Sequence, residues 1–388
     1  MSVVAAIAGG PSLFEDEHDQ FRVSVRQFVD DEIVPRADIF RAAKRMSREI
    51  WQGAGELGYI GFMMPVQYGG GGVDDFRFNA VLNQELARIG FGFASSLGIN
   101  VDVVSPYLRD LMTDEQRARW LPAFCAGELI TAIALTEPST GSDLAAVRTR
   151  AVPEGDGWAI SGAKTFVTNG SICDLVLVLA RTGEPGAKGL SLFAVDAAAP
   201  GVNREHKLHK LGQHEADTAE MFFDAVHVGP DRLIGEENAA FGYLMRNLPQ
   251  ERISCAISAH AAAERAFELA LGYARERHAF GRPIGGHQHN KFELANARTE
   301  LDVTAAWLNR CIRDHVAGSL DPVAAAKAKY WATEVQGRVV DLGLQLFGGY
   351  GYMAESEIAQ LWTDARVTRI FAGTSEIMRE VIGRSLGL

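Results

Sequence analysis

Apolar residues recur at helical spacing, then at strand spacing, then at helical spacing again. Near the start Phe21, Val25 and Phe28 share one helical face, and the run continues through Glu32 to Val34. Pro35 ends it, because proline brings no amide hydrogen to the helix ladder. Thr113 followed by Gln116 fits a capping box, which predicts a helix carrying Trp120 and Leu121. Between these helices, GGGGV at 69–73 breaks the pattern. Such a loop can cradle phosphate, but no strand precedes it and no GKS/T follows, so it reads as an interhelical turn. From Gly127 to Leu233 the period shortens. WAISGAKTFVTNG alternates as a strand does, and Asn169-Gly170, both tolerant of positive φ, predict a hairpin turn. Asp174–Arg181 and Leu190–Asp196 are short apolar runs bounded by turn residues, as buried strands are. After Glu236 the helical period returns. Ala262–Arg277, Phe292–Val316 and Val323–Phe347 are rich in strong helix formers. The expected fold is α+β: an N-terminal helical unit at 1–126, a β unit at 127–235 and a C-terminal helical bundle at 236–388.

Composition narrows the function. The chain has 388 residues and a net charge of −11, which repels nucleic acid and anionic membranes alike. No run approaches the 18 uninterrupted apolar residues of a membrane helix, so no membrane insertion is expected. The opening MSVVAAIAGG lacks the basic flank and apolar core of a secretion signal and reads as a loose tail. Cys125, Cys173, Cys255 and Cys311 lie far apart with no CxxC pair, which argues against zinc and against a disulfide framework. No metal is expected, and reduced thiols point to a cytoplasmic protein.

The stretch richest in chemistry is ALTEPSTGSDLAAVRTRA, from Ala134 to Ala151. TEPSTGSD is a turn crowded with hydroxyls and backbone amides at the edge of the β unit, able to hydrogen-bond a polar heterocycle or a phosphate. An isolated loop of this kind is normally a plain solvent turn. Here the remaining chain supplies matching parts.

TEPSTGSD, KTFVTNG, ERHAFG, QLFGGYGY and AGTSEIMREVIGR occur in that order, and together they make the chain resemble the acyl-CoA dehydrogenase family over nearly its whole length. KLHKLG, DTAEMFF, LPQER and AKYWATE bring it nearest to long-chain-type members. One departure is Thr140, where the family has a smaller residue.

The resemblance implies FAD as cofactor and an acyl-CoA substrate dehydrogenated at its α,β bond. It places the flavin ring against Leu135, Thr136, Phe166 and Thr168, with Phe166 where the family carries a ring-contacting aromatic. Pattern alone would also allow Phe166 to be an inward-facing strand residue. Arg277 matches an arginine that reaches the FAD pyrophosphate of a neighbouring subunit, although a lone arginine is ordinarily a solvated helix face. Phe280 and Gln288 match further FAD contacts. Gln345, Gly348, Gly349 and Gly351 match a glycine turn at the ADP part, and Thr374 and Glu376 match contacts at the other end. A cofactor shared in this way implies a homo-oligomer, as a tetramer, and the family implies an electron-transferring flavoprotein as acceptor.

Many members place the catalytic Glu directly before the Gly-Thr of the last motif, but here that residue is Ala372, which cannot accept a proton. Long-chain and isovaleryl-type members carry the base elsewhere, directly before an arginine, and Glu251-Arg252 stands at that place. The resemblance thus implies Glu251 as base and Arg252 at the ligand. Ala372 and Gly373 border the thioester, with the Ala372 backbone N–H polarising its oxygen. Ser142 matches a contact to the pantetheine arm, and the acyl pocket is expected near 93–100. An oxidase on the same fold, or a non-catalytic acyl-CoA- and flavin-binding oligomer, are the alternatives.

Overall fold

Thr113 starts a helix in the manner its spacing predicts. Its hydroxyl accepts the Gln116 amide at 3.3 Å while the Gln116 side-chain oxygen accepts the Thr113 N–H at 3.0 Å. In the computed structural model, which describes residues 13–388, this helix closes an N-terminal set. The set comprises α1 (Asp16–Phe28), α2 (Ala37–Ala43), α3 (Arg48–Glu56), α4 (Phe76–Ala87), α5 (Phe91–Gly98), α6 (Ser105–Leu111) and α7 (Asp114–Cys125). The expected tail at 1–10 lies outside the described residues. α1 widens through Val29–Ile33 and ends in a tight turn, Val34–Arg36, that contains Pro35. Gly69–Val73 is an interhelical turn, as expected. A Cβ at Gly70 would stand 2.2 Å from the Met64 carbonyl oxygen, so only glycine fits the crossing.

Eight strands follow in one sheet: β1 (Thr131–Ala134), β2 (Arg150–Glu154), β3 (Gly157–Thr168), β4 (Leu175–Arg181), β5 (Leu190–Asp196), β6 (Val202–Asn203), β7 (Thr218–Val228) and β8 (Leu233–Ile234). Their order is β6-β7-β3-β2-β4-β5-β8, with β1 alongside β4. The hairpin expected at Asn169-Gly170 does not form. β3 pairs with β2 and β7, not with β4, and only Asn169 takes a positive φ, 63°. Tertiary contacts override the turn signal: Asn169 is buried, and its side-chain amide donates to the Ser96 carbonyl at 2.9 Å, pinning the chain against α5. β4 and β5 pair along their full length and are buried except at their last residues, Arg181 and Asp196, as their continuous apolar runs predict.

The C-terminal helices are α8 (Ala240–Glu276), α9 (Gln288–Val316), α10 (Pro322–Phe347), α11 (Glu357–Thr368) and α12 (Ser375–Ser385), with a small ribbon of β9 (His278–Ala279) and β10 (Arg282–Pro283). α8 begins 22 residues earlier than Ala262 and runs through Pro249. An interior proline costs about 3 kcal/mol. Burial outweighs it: Ile253, Ala256 and Ile257 pack against Phe76 and Ala80 of α4 and Ala325 and Ala328 of α10. Farther along, Ala262, Ala263, Ala266 and Ala270 pack with Leu301 of α9 and Val335 and Val339 of α10. The main core is continuous from Phe28, Trp51 and Tyr107 in the helices to Val176 and Phe193 in the sheet. Small side chains let α8 and α10 lie close together, which brings the 368–375 segment against both.

Candidate active site

Glu251 sits on a polar face of α8 that includes Asn247, Ser254 and Ser258, spaced so that all four point one way. Facing them is the Ile99–Val104 turn and the start of α6. Tyr107, fully buried, points its hydroxyl at Glu251 Oε1 across 3.5 Å. Asp102 accepts from Asn79 Nδ2 at 2.7 Å and from Asn83 Nδ2 at 2.6 Å, and Ser258 donates to Asn83 Oδ1 at 3.1 Å. Gln250 ties the Asp102 carbonyl at 2.8 Å. Part of Glu251 is accessible, but its carboxyl is enclosed by protein. Desolvation raises its pKa to about 7, opposed by Arg252 and Tyr107 and assisted by Asp102. Asp102 is itself raised to about 6 by burial. Burial also drives the Tyr107 phenol well above its ordinary value. A carboxyl poised near neutrality in a desolvated setting suits general-base work.

Arg252 is buried, and its Nε has no hydrogen-bond partner among the described residues. One helical turn along α8, Cys255 and Ala259 join Phe91 in a small apolar cluster that Phe371 and Ala372 cover. The Ala372–Gly373 turn therefore meets α8 about one helical turn beyond Glu251 and Arg252. Ala372 and Gly373 both take positive φ, 50° and 93°. Thr374 caps α12, its hydroxyl accepting the Ile377 amide at 3.2 Å, and Glu376 lies exposed in the first turn of that helix.

The residues expected beside a flavin ring lie on two adjoining strands. Leu135 and Thr136 continue β1, and the Thr165 N–H donates to the Thr136 carbonyl at 2.9 Å, which sets them beside Phe166 and Thr168 of β3. Phe166 is not an inward strand residue. The β3–β7 register breaks between Lys164 and Val167, Phe166 takes a φ of 57°, and its ring is 68% exposed. Behind this edge Lys164, 0% exposed, donates to Glu137 Oε1 at 2.9 Å and to the Leu135 carbonyl at 3.0 Å. Glu137 also accepts the Arg148 and Thr149 amides, each at 2.8 Å. Burial lowers the Lys164 pKa to about 8. The pair thus anchors the TEPSTGSD turn, where the Thr140 hydroxyl donates to the Asp143 carbonyl at 2.6 Å and Ser142 is exposed. The larger residue at 140 is absorbed by the turn.

Arg277, Gly348 and Gly349 form a third group, lining a cavity of about 430 Å³ with Tyr273, Phe347 and Tyr350. None of the flavin-edge residues lines it. Arg277 has no ion-pair partner among the described residues. A Cβ at Gly348 or Gly349 would meet nothing within 4 Å, so protein packing does not demand glycine there, and the backbone is open to close approach by a ligand. An unpaired guanidinium beside a glycine backbone open to close approach fits a phosphate group. Phe280 has a φ of 52° and is 96% exposed, and Gln288 and Gln345 are exposed nearby in sequence. The residues suited to FAD are thus present in two separate sets, one on the β edge and one on the bundle.

Tyr107, Asp102 and Lys329 escaped the sequence reading. Each meets the site through contacts distant in sequence, and only their placement in apolar segments hinted at burial.

Three family profiles match in order: acyl-CoA dehydrogenase N-terminal domain at residues 15–128, middle domain at 132–226 and C-terminal domain at 239–387. The chain is 42% identical over 380 residues to a long-chain specific acyl-CoA dehydrogenase of Rattus norvegicus, covering 96% of this chain and 87% of that one. An acyl-CoA dehydrogenase structure from Geobacillus kaustophilus superposes with a TM-score of 0.95 at 40% identity, over 97% of this chain and 99% of the other. Butyryl-CoA dehydrogenase from Megasphaera elsdenii gives 0.93 at 29% identity, over 98% and 100%. Helical, sheet and helical units arranged in this way, together with full-length similarity, establish that the chain belongs to the acyl-CoA dehydrogenase family and is an FAD-dependent oxidoreductase acting on acyl-CoA thioesters.

Proposed function

We propose that Glu251 is the base of this dehydrogenase and that Ala372 contributes only its backbone N–H. The single observation that carries this reading is the desolvated Glu251 carboxyl, raised to about 7, in the neighbourhood of a turn whose own side chain is a methyl group. Glu251 takes the α-proton, the Cα–H electrons form the new Cα=Cβ bond, and the product is a trans-2-enoyl thioester. FAD, once bound, would supply the acceptor for the β-hydrogen as hydride. The Ala372 N–H donates to the thioester oxygen as negative charge develops there, Gly373 borders the same atoms, and Arg252 lines the ligand pocket. Ser142 contacts the pantetheine arm.

Leu135, Thr136, Phe166 and Thr168 hold the ring, with Thr374 and Glu376 at the other end of the cofactor. Arg277, Phe280, Gln288, Gln345, Gly348 and Gly349 receive the phosphate and adenosine portions from a neighbouring subunit. The separation of the two residue sets supports that division and a homotetramer. The units 1–126, 127–235 and 236–388 are the working domains. Electrons pass to an electron-transferring flavoprotein in the cytoplasm.

The test is anaerobic bleaching of the flavin by saturated acyl-CoAs. Glu251→Gln keeps size and hydrogen bonding, and it should retain FAD while slowing bleaching by about 10²- to 10⁴-fold, the usual cost of losing a general base. Adding Ala372→Glu to this variant should restore part of the rate. Bleaching of Glu251→Gln at the parent rate would place the base elsewhere.

A further inference from the structure

The 368–375 segment is held from one side by α10. Thr368 donates its hydroxyl to Gln336 Oε1 at 2.8 Å, Ser375 donates to Glu334 Oε1 at 2.8 Å, and Arg369 approaches Glu334 at 3.4 Å. At the centre of the segment Lys329 Nζ donates to the Gly373 carbonyl at 2.6 Å. Lys329 is 0% exposed and has no ion pair within 4 Å among the described residues. A lysine fully removed from water and spent on a single backbone carbonyl is a costly way to secure a turn. A neutral donor would satisfy the same carbonyl without that cost.

The backbone it grips is itself unusual. Ala372 stands at a φ of 50° and Gly373 at 93°, and a left-handed alanine persists only where its surroundings fix it. At a φ of 93° Gly373 occupies backbone that a side chain rarely adopts, so the turn depends on glycine there. Holding the Gly373 carbonyl fixes the 373–374 peptide plane, and the constrained left-handed pair at Ala372 and Gly373 carries that constraint back toward the Ala372 N–H. On the opposite side of the same turn, Cys255 and Ala259 of α8 pack against Ala372. Burial and Arg252 of α8 disfavour the Lys329 ammonium, while Cys255, Glu334 of α10 and Glu376 of α12 favour it.

We propose that Lys329 is a positioning residue for the oxidation reaction: its ammonium orients the Ala372–Gly373 turn and places positive charge behind the N–H that receives the developing enolate oxygen. This rests on the role given above to the Ala372 N–H. Lys329 touches neither substrate nor cofactor. It acts through the turn and through its charge, and it therefore contributes more to the transition state than to the bound ground state.

The probe is a 3-thiaacyl-CoA, whose acidic α-proton can leave without hydride transfer and whose enolate gives a long-wavelength absorption band with oxidised flavin. In FAD-loaded Lys329→Met the pH midpoint of that band should rise by about one unit, and anaerobic bleaching by a saturated acyl-CoA should slow by about tenfold or more. FAD content and acyl-CoA affinity should stay near parent values, a split that a merely structural lysine would not produce. An unshifted midpoint with an unchanged bleaching rate would overturn the proposal. So would equal losses of FAD content, affinity and rate.

Lys329→Gln is the second variant, since its shorter amide cannot reach the Gly373 carbonyl as the lysine does. If neither variant folds, Lys329 serves folding and the proposal fails. Failure of the parent to be bleached by any acyl-CoA would instead refute the reading of Glu251 and Ala372, a distinct outcome.

Discussion

Raising the pH should switch on flavin reduction by deprotonating Glu251. With its carboxyl near 7, about one-tenth is ionised at pH 6 and about nine-tenths at pH 8, so the anaerobic bleaching rate should climb about tenfold across that interval. Two substitutions should move the limb in opposite directions. Tyr107 donates toward Glu251 Oε1 and favours its anion, so Tyr107→Phe should shift the limb to higher pH. Asp102 disfavours that anion, so Asp102→Asn should shift it lower, with some stability lost because Asn79 and Asn83 would both point donors at an amide.

Stability should show the same group with the opposite sign. Folding raises this carboxyl above its ordinary 4.5, so the native state holds the proton more tightly than the unfolded chain. Stability therefore falls as pH rises between 4.5 and about 7, by at most about 3 kcal/mol, and the penalty persists above that range. Glu251→Gln should match the parent in thermal unfolding at pH 5 and exceed it at pH 8.5. Stopped-flow absorbance gives the rates and scanning fluorimetry gives the unfolding midpoints. A rate that is flat from pH 6 to 8, or a variant no more stable than the parent at pH 8.5, would refute the desolvation argument.

Arg277→Ala should weaken FAD retention and loosen the oligomer together, because an unpaired guanidinium would be lost from the 430 Å³ cavity. Flavin released during gel filtration and the elution volume report both, and unchanged retention would remove Arg277 from the cofactor site. Lys164→Met leaves Glu137 buried beside the two amides at 148 and 149 without its cation, at a cost of about 3–5 kcal/mol. A midpoint of unfolding within a degree of the parent would show that the pair is not what anchors the TEPSTGSD turn.

Local chemistry was the legible part of this sequence. The capping box at Thr113 and Gln116 needs no partner outside its own turn, and it forms as written. The apolar runs of β4 and β5 report burial directly. The Asn169-Gly170 signal misled because the Asn169 amide serves a contact with Ser96, 73 positions away in sequence, and not a hairpin. Pro249 hid the first half of α8 for a similar reason, since packing against α4 and α10 outweighs a local helix breaker. Within the site, the paired cues of Ala372 and Glu251 pointed to one neighbourhood. Tyr107, 144 positions from Glu251, and Lys329, 44 positions from Gly373, carry no local mark of what they touch.

α8 carries Glu251 near its entry and ends just before Arg277, about 39 Å farther on at the usual helical rise. Mechanically it is one strut bearing both the base proposed above and the arginine proposed to grip a neighbour's cofactor. Its middle is a row of alanines seated against α10, which couples the two ends. A larger side chain at Ala263 or Ala266 would tilt the whole member. An engineer reshaping the surroundings of Glu251 from this helix would therefore be moving Arg277 and its cavity in the same stroke.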